Sequence, residues 1–147
     1  MNRNEGEFLV WDTVSMAWTE IGIFDNEYPK IAGELRKHFS SWDEIATIID
    51  RDVVPAFSAR MALLLLGLVS LIGLLLIAPF PDWGYDEDWL RQRIARWHAR
   101  RLWLHWCNPL RIVGYPIAWL FAIGIRLKLK RAWHGSAEQP RSEDQAR

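Results

Sequence analysis

Apolar residues recur every three to four positions through the first part of the chain and then merge into an unbroken run. The spacing over residues 8–54 is that of amphipathic helices, each with one apolar face. Residues 61–80 carry no charged side chain, and Ser70 is their only hydroxyl. No segment shows sustained alternation of apolar and polar residues, so the pattern predicts an all-α chain without a sheet.

The uncharged run has the length of a membrane-spanning helix. Twenty residues at about 1.5 Å per residue cover about 30 Å, the thickness of the hydrocarbon core of a bilayer. A soluble core helix that is apolar on every side would need a larger surrounding protein than 147 residues provide. Because the run follows about sixty patterned residues, it does not have the form of a cleavable signal peptide. We therefore predict a transmembrane helix over residues 60–81.

The preceding residues predict a small helical head over residues 8–59, behind a flexible N-terminus of residues 1–7. Three short helices are expected in the head, because three stretches repeat apolar residues at helical spacing. The third begins at a capping box, in which Ser41 and Glu44 satisfy backbone groups of the first turn. Pro55 is expected to end or kink that helix. The tryptophans expected in the head core are Trp11, Trp18 and Trp42.

Charge divides the chain at the same place as hydropathy. Residues 1–60 carry 11 acidic and 6 basic residues, a net charge of −5, whereas residues 61–147 carry 12 basic and 7 acidic residues, a net charge of +5. An acidic head therefore precedes a basic, membrane-associated body. Because so short a head buries only a small core, it is expected to gain stability from the membrane segment or a partner. The acids predicted to meet a protein partner are Asp25, Glu27, Glu34 and Asp43.

Arginine and tryptophan dominate residues 82–108. Asp86 is predicted to cap a helix that continues through Arg101. A basic face beside a Trp/Leu stripe is typical of an interfacial amphipathic helix on an anionic membrane surface, and a solvated arginine face on a globular helix is the alternative. Nucleic-acid binding is disfavoured, because lipid explains arginines beside a membrane anchor better. The predicted membrane-surface residues are Trp83, Trp89, Arg93, Arg96, Trp97 and Arg100.

A second apolar stretch occupies residues 109–126 and differs from the first in containing Arg111 and Pro116. Its uncharged part, residues 112–125, is short for a full span. Two alternatives therefore stay open, a second and shorter transmembrane helix or an interfacial or re-entrant helix. Residues 127–147 are predicted to form a basic edge followed by a disordered tail.

Two topologies follow from this layout. In a hairpin with two spans, head and tail share the cytoplasm, and the basic residues after Ile125 agree with the positive-inside rule. In a single span with the head outside, the charge rule is satisfied better, but about sixty folded residues would cross the membrane without a signal. The hairpin is favoured, which makes a multi-pass protein of the bacterial inner membrane the predicted localisation.

Residues with catalytic or metal-binding chemistry lack the spacing that such sites need. Asp25 and Glu27 are acids that turns commonly contain, so turn chemistry explains them better than acid–base catalysis. His98, His105 and Cys107 offer metal ligands, but the last two do not share a helix face. The sequence contains no Gly-rich phosphate loop, no G-x-S-x-G and no H-E-x-x-H. No enzymatic activity, cofactor or metal is therefore predicted.

Several short motifs occur in an informative order. They are Trp18, IF at residues 23–24, DNE at 25–27, IA at 31–32, Leu35, DVVP at 52–55 and WGYDEDWL at 83–90. In this order they resemble a family of small uncharacterised bacterial proteins, over residues 18–60 and 83–90. The resemblance implies a compact helical head and no assigned activity, and some relatives look like immunity or accessory proteins. In this chain the transmembrane run replaces the short polar connection of the relatives.

These observations predict a non-enzymatic inner-membrane protein whose acidic head binds an unknown protein partner, in an immunity or accessory role. The alternative is a structural subunit or assembly factor of a larger membrane complex. A membrane enzyme that uses His98 and His105 on a lipid is the third and least favoured hypothesis. The lipid bilayer is the other expected partner.

Overall fold

The computed structural model describes residues 3–19, 22–69 and 84–135. Every regular element within these residues is helical, which confirms the all-α prediction. The α-helices in chain order are α1 (Arg3–Ser15), α2 (Tyr28–Arg36), α3 (Trp42–Ile48), α4 (Val54–Val69), α5 (Glu87–His98), α6 (Leu102–Trp106) and α7 (Pro109–Gly135). A 3₁₀ turn, Met16–Trp18, extends α1, and a π-helical segment, Ile49–Val53, joins α3 to α4.

Helix α1 begins at Arg3, earlier than the predicted start at residue 8. Gly6 is buried in its second turn. A Cβ atom at Gly6 would lie 2.5 Å from the Cβ of His38 and 3.1 Å from the ring of Phe39. Residues that were expected to be flexible are therefore helical, because this end of α1 packs closely against the chain that follows α2.

Aromatic side chains form the centre of the head. Trp11, Trp18 and Phe57 are at most 1 % exposed, and the rings of Trp18 and Phe57 stack with centroids 4.3 Å apart. Trp42 is also buried, which confirms the core positions predicted for the three tryptophans. Full burial of a large apolar side chain contributes about 1.5–3 kcal/mol. This cluster therefore supplies much of the stability of a small head.

Helix α3, the π-helical segment and α4 follow one another without a break. Ser41 caps α3 as predicted, because its Oγ accepts the backbone N–H of Glu44 at 3.4 Å. The predicted end or kink at Pro55 is replaced by the π-helical segment just before it. Pro55 then lies in the first turn of α4, where a missing N–H is tolerated. The head therefore continues directly into the uncharged run.

The predicted transmembrane helix over residues 60–81 is described as far as Val69, and residues 70–83 lie outside the described part of the chain. Leu63, Leu65 and Leu66 are exposed. Among the described residues, α7 alone is long and apolar enough to cross a membrane. The predicted membrane layout is therefore supported to the extent of one helix, and a multi-pass arrangement has no support in this part of the chain.

Helix α7 continues to Gly135 rather than ending at residue 126 as predicted. Its last turns, predicted as a basic edge, are helical because they pack on the head. The predicted disordered tail after Gly135 lies outside the described residues. Leu129 and Trp133 are buried, and the guanidinium of Arg36 lies 5.1 Å from the centre of the Trp133 ring. Pro116 lies within the helix and does not end it.

The most extensive contact between two helices is that of α4 with α7. Gly114 approaches α4 so closely that a Cβ atom there would overlap the backbone carbonyl of Ser58. Ala118 and Ala122 follow at four-residue spacing on the same face of α7, and both are buried. Only a face of small residues permits so close an approach of two backbones.

The two helices run antiparallel and are offset along their length. Gly114 contacts Ser58, whereas Arg126 donates to the carboxylate of Asp50 at 2.8 Å. The apolar part of α7 therefore lies beside the end of the head and the start of the uncharged run. In a hairpin of two level spans, the region around Arg126 would instead lie beside residue 61.

Candidate functional site: an arginine-lined pocket

Two helices separated by a bend replace the single amphipathic helix predicted over residues 82–108. Asp86 caps α5 as predicted, because its Oδ1 accepts the backbone N–H of Trp89 at 3.1 Å. The helix ends at His98. After the bend, α6 brings His105 back onto α5, where its ring stacks on Trp97 with centroids 3.7 Å apart. The bend is therefore held by a contact between residues eight positions apart.

The apolar stripe of α5 packs on the head. Leu90 is fully buried, and the indole N–H of Trp97 donates to Oδ1 of Asp52 at 3.1 Å. The hydroxyl of Tyr85 lies 3.4 Å from the carbonyl oxygen of Trp18, so the segment after the uncharged run completes the head core. Trp97, predicted at the membrane surface, is instead a core residue, because the head offers it a buried carboxylate and aromatic neighbours.

The remaining predicted membrane-surface residues have different surroundings. Trp89 is half-buried and stacks on Tyr85 with ring centroids 4.8 Å apart. Trp83 lies outside the described residues. The arginines of this set, which line one pocket together, are Arg93, Arg96 and Arg100.

The pocket has a volume of about 160 Å³ and a mainly cationic wall. Helices α4, α5, α6 and the first turn of α7 contribute to it. Its charged and aromatic lining residues are Arg93, Arg96, Trp97, Arg100, His105 and Arg111. Within the described ranges, none of its four arginines forms an ion pair with an acid. The pocket therefore concentrates positive charge that no acid of the described residues neutralises in an ion pair.

Arg93 is the most buried cation of the pocket. Its Nη2 donates to the carbonyl oxygen of Ala56 at 2.6 Å, and its guanidinium lies 4.6 Å from the centre of the Phe57 ring. Burial lowers the pKa of Arg93 to about 10, and neighbouring arginines act in the same direction. Arg93 therefore stays cationic at neutral pH, and its buried Nε has no hydrogen-bond partner in the described structure.

His105 holds Arg111 in the pocket wall. Nη1 of Arg111 donates to Nδ1 of His105, while Nε2 of His105 lies 3.0 Å from the carbonyl oxygen of Trp97. A neutral ring with its proton on Nε2 satisfies both contacts. Burial lowers the pKa of His105, and the positive charges of Arg111 and Arg100 lower it further, against the hydrogen bond to Trp97. The neutral ring therefore orients the Arg111 guanidinium, which also lies 4.9 Å from the centre of the Trp97 ring.

Metal-type ligands occur near the pocket but are already engaged. Ligand atoms of Glu7, Asp52 and His98 lie within 4.8 Å of one another. Nε2 of His98 lies 3.0 Å from the Glu7 carboxylate, and Asp52 pairs with Arg51 at 2.9 Å. The guanidinium beside Asp52 opposes the binding of a second cation. Of the ligands considered from the sequence, His98 belongs to this group, whereas His105 and Cys107 belong to none within the described residues.

Two of the four predicted partner-binding acids have cationic neighbours in the same chain. The Asp25 carboxylate lies 2.6 Å from the ammonium of Lys128, and Glu34 lies 2.7 Å from that of Lys37. The hydrogen bond to Lys37 lowers the pKa of Glu34. Both acids are exposed, but their charges are partly neutralised before any partner binds.

The other two acids remain exposed without an ion pair in the described part of the chain. The Glu27 carboxylate accepts the backbone N–H of Phe24 at 3.2 Å, which closes the predicted turn. Asp43 lies in the first turn of α3, where an acid stabilises the helix dipole. The predicted acidic surface is thus divided into a paired half and an unpaired half.

No protein-family model, curated protein or solved structure matches this chain. The resemblance to an uncharacterised bacterial family therefore stays a prediction. The chemistry of the pocket is interpreted from its own residues. Guanidinium groups present planar, permanently charged donors, so this wall is suited to an oxyanion.

Proposed function

We propose that this chain is a non-enzymatic protein of the bacterial inner membrane that presents its helical head to a protein partner. The observation that carries the proposal is the distribution of residue sizes around α7. As far as Ala122 its buried face is built of small residues, whereas Ile112, Val113, Leu120 and Phe121 on its outer face are 48–64 % exposed. A surface helix of a water-soluble protein has the reverse arrangement.

Packing by small residues is the mode expected of helices in lipid. Lipid tails are as apolar as leucine, so burying large side chains gains little there and close packing holds helices together. Gly114, Ala118 and Ala122 repeat at four-residue spacing on α7, and Ser58 and Ala62 do so on α4. Such faces let two backbones approach closely. The contact of Gly114 with Ser58 supports this interpretation.

Exposed apolar residues outside α7 extend its outer face into what we call the apolar band. The ring of Trp106 in α6 lies 5.5 Å from that of Tyr115, which joins α6 to α7. A large contiguous surface of exposed apolar side chains is uncommon on a monomeric water-soluble protein. The members of the apolar band are Leu63, Leu65, Leu66, Trp103, Leu104, Trp106, Ile112, Val113, Leu120 and Phe121.

The offset between α4 and α7 favours the interfacial alternative for α7. If residues 61–80 span the bilayer, residues 112–125 lie near its head-side surface. The N-terminal end of α7 then reaches deepest into the bilayer. Val113 is then immersed, whereas Arg131 near the other end remains in water. We therefore propose one span with α7 embedded beside it, instead of the hairpin favoured by charge alone.

Membrane insertion is tested by washing the membranes of cells that express the full chain with alkaline carbonate. We expect the protein to stay in the washed pellet and to leave it only in detergent. Release by carbonate alone would contradict the proposal.

The oligomeric state in detergent tests what covers the apolar band. If the purified chain is a monomer, this supports a band that is covered by lipid. A subunit of a larger membrane complex is the second candidate, since protein covers apolar surface as well as lipid does, and a fixed oligomer would favour it.

The protein partner is tested by reversing charge on the unpaired acids. Replacing Glu27 and Asp43 by lysine is expected to abolish co-purification of the partner with the head. The matched control replaces Asp25 and Glu34 by lysine, which reverses the same number of charges at positions that are already paired. Undiminished recovery of the partner with both double variants would show that the acidic surface is not its binding site.

A further inference from the structure

We infer that the arginine-lined pocket binds a phosphate group, preferentially a phosphomonoester with two negative charges. Two sources share this chemistry, the headgroup of an anionic lipid and a free phosphate. Phosphate binding by the pocket does not depend on the proposed membrane function. A lipid as the source of the phosphate rests on that proposed function.

The charge balance of the pocket is the first reason. Four guanidinium groups surround one cavity, and like charges so close together repel one another unless an anion lies between them. The carboxylate of Asp52, which accepts the indole N–H of Trp97, is already engaged by Arg51. The positive charge is therefore uncompensated by this chain within the described residues, and an oxyanion would relieve the repulsion.

The placement of the donors is the second reason. Arg96 lies in the last turn of α5 and Arg100 in the bend that follows it, and both side chains line the cavity. Arg111 enters from α7 in a position set by His105, and Arg93 approaches from the buried side. Nε of Arg93 and Nε of Arg111 are both buried without a hydrogen-bond partner in the described structure. Donors from two helices thus surround the cavity with hydrogen bonds unmade.

The size of the cavity and the number of cations select the kind of anion. About 160 Å³ is roughly ten times the 10–15 Å³ that one water molecule requires. A carboxylate uses one bidentate guanidinium, whereas the terminal oxygens of a phosphate accept from several donors at once. A phosphomonoester near neutral pH carries nearly two negative charges, which matches this wall better than a single charge does.

The surroundings of the pocket favour the lipid as the source. Leu104 and Trp106 flank His105 in the chain, and Ile112 and Val113 directly follow Arg111. These four belong to the apolar band, so the same short segments carry pocket residues and lipid-facing residues. A phosphate in the pocket can therefore keep its acyl chains along the band.

The test begins with the purified full chain in detergent, titrated with inorganic phosphate and with the short-chain phosphatidic acid dihexanoyl phosphatidic acid, using isothermal calorimetry. Dihexanoyl phosphatidylcholine, which carries a zwitterionic phosphodiester, serves as the comparison ligand. The pocket variant is Arg96→Gln with Arg100→Gln, which changes exposed side chains and spares the core. The matched control is Arg91→Gln with Arg101→Gln, which removes two charges in the same region but outside the pocket.

We expect phosphatidic acid to bind more tightly than inorganic phosphate, and phosphatidylcholine to bind weakly. A charge-assisted hydrogen bond is worth about 1.5–3 kcal/mol, which corresponds to about tenfold or more in affinity for each arginine lost. The pocket variant should therefore lose about a hundredfold, and the control less than about threefold. Lysine at positions 96 and 100 should restore part of the affinity, because it keeps the charge without the bidentate geometry.

Each other outcome has a definite meaning. Binding of inorganic phosphate without any gain for phosphatidic acid would retain the pocket and overturn the lipid source. Equal losses in the pocket variant and the control would overturn the site, because they would show general attraction to basic residues. If neither inorganic phosphate nor phosphatidic acid binds, the inference is overturned entirely. The carbonate wash separates this failure from failure of the proposed function, since the pocket variant should remain in the membrane pellet.

Discussion

The head core and the α4–α7 interface place large and small side chains in opposite positions. In the head, the largest residues lie innermost, and Trp11, Trp18 and Phe57 are almost completely buried. At the α4–α7 interface, Gly114 lies innermost, while Leu120 faces outward and is largely exposed. Both regions belong to one short chain and share α4.

Under the proposed membrane location, this difference reflects the medium that surrounds each region. Water drives large apolar side chains inward, so a core such as that of the head indicates an aqueous surrounding. Lipid supplies no such drive, so close contact between small residues takes its place. Phe57 and Ser58 are consecutive residues, yet one packs in the aromatic core and the other meets Gly114. The change from one mode of packing to the other thus occurs within a single helical turn.

The largest expected effect is at the centre of the head. Trp11→Ala should lower the free energy of unfolding by about 3–5 kcal/mol, because it removes buried apolar surface and leaves a cavity. Denaturant unfolding followed by circular dichroism measures this loss. Phe24, which is well exposed, provides the control, and Phe24→Ala should change stability by less than about 0.5 kcal/mol. Equal effects of the two substitutions would contradict the described core.

The next largest effect is expected on the outer face of α7, and it distinguishes a surface that faces lipid from one that faces water. Val113→Asp places a charge on the outer face of α7 and should oppose insertion by up to about 3 kcal/mol, the cost of an acid within a membrane helix. Because residues 61–80 would still anchor the chain, the readout is the thermal stability of the protein in lipid vesicles, which should fall. Lys130→Asp near the other end of α7 is the control and should leave that stability unchanged. If the stability of the Val113 variant is also unchanged, that face does not meet lipid.

A smaller effect is expected from a single methyl group at the helix contact. Gly114→Ala should destabilise by about 1–3 kcal/mol, because the added Cβ overlaps the Ser58 carbonyl and the backbones must separate. Gly124→Ala is the matched control on the same helix, since no atom lies within 4 Å of a Cβ added there. The control should be neutral or slightly stabilising, as expected from helix propensity. Thermal unfolding in detergent compares the two, and equal stability would refute the close contact.

The smallest effect is on the dependence of stability on pH. Burial lowers the pKa of His105 in the folded chain below its unfolded value of about 6.5. The unfolded chain therefore binds the proton more readily, and stability should fall as pH decreases through this range. The charged groups that act on His105 are Arg111, Arg100 and Asp52.

His105→Gln tests this contribution, because it removes the titrating ring at that position. The difference in stability between pH 8 and pH 5 should shrink in this variant. His134→Gln, at the exposed end of α7, should keep the difference of the parent chain. A parent-like pH dependence in the His105 variant would contradict the assignment of the neutral ring.

Local signals in the sequence predicted local structure well. Ser41 and Asp86 cap their helices through contacts with residues three positions ahead, which a short motif encodes completely. The tryptophans of the head were assigned to the core because apolar spacing identifies the buried face of a helix. The four-residue spacing of small residues from Gly114 to Ala118 is also a local signal, and it indicates the close-contact face of α7.

Contacts between residues far apart in the sequence could not be predicted from local patterns. A stripe of tryptophan and leucine beside arginines fits a membrane surface or a protein core equally, and the stripe of α5 proved to pack on the head. The ion pair of Asp25 with Lys128 joins residues 103 positions apart, so no local pattern indicated it. The extension of α7 to Gly135 depends on similar contacts.

The candidate site was found in part. The sequence predicts a shared role for Arg93, Arg96 and Arg100, but on a flat membrane surface. It predicts no site role for Arg111, which interrupts an apolar stretch, and the spacing of His105 does not favour a metal site. The bend between α5 and α6 brings both against the arginines of α5, and that bend depends on stacking between His105 and Trp97.

The most direct test of the proposed contact between the outer face of α7 and lipid is the water accessibility of position 113. The single native cysteine is replaced by Cys107→Ser, a cysteine is introduced by Val113→Cys, and the protein is reconstituted alone into lipid vesicles. Arg131→Cys in the same background reports the aqueous rate of reaction with a charged, membrane-impermeant maleimide. We predict that position 113 stays unlabelled until the vesicles are dissolved and the chain is denatured, while position 131 reacts at once. Equally rapid labelling at both positions would show that the outer face of α7 lies in water.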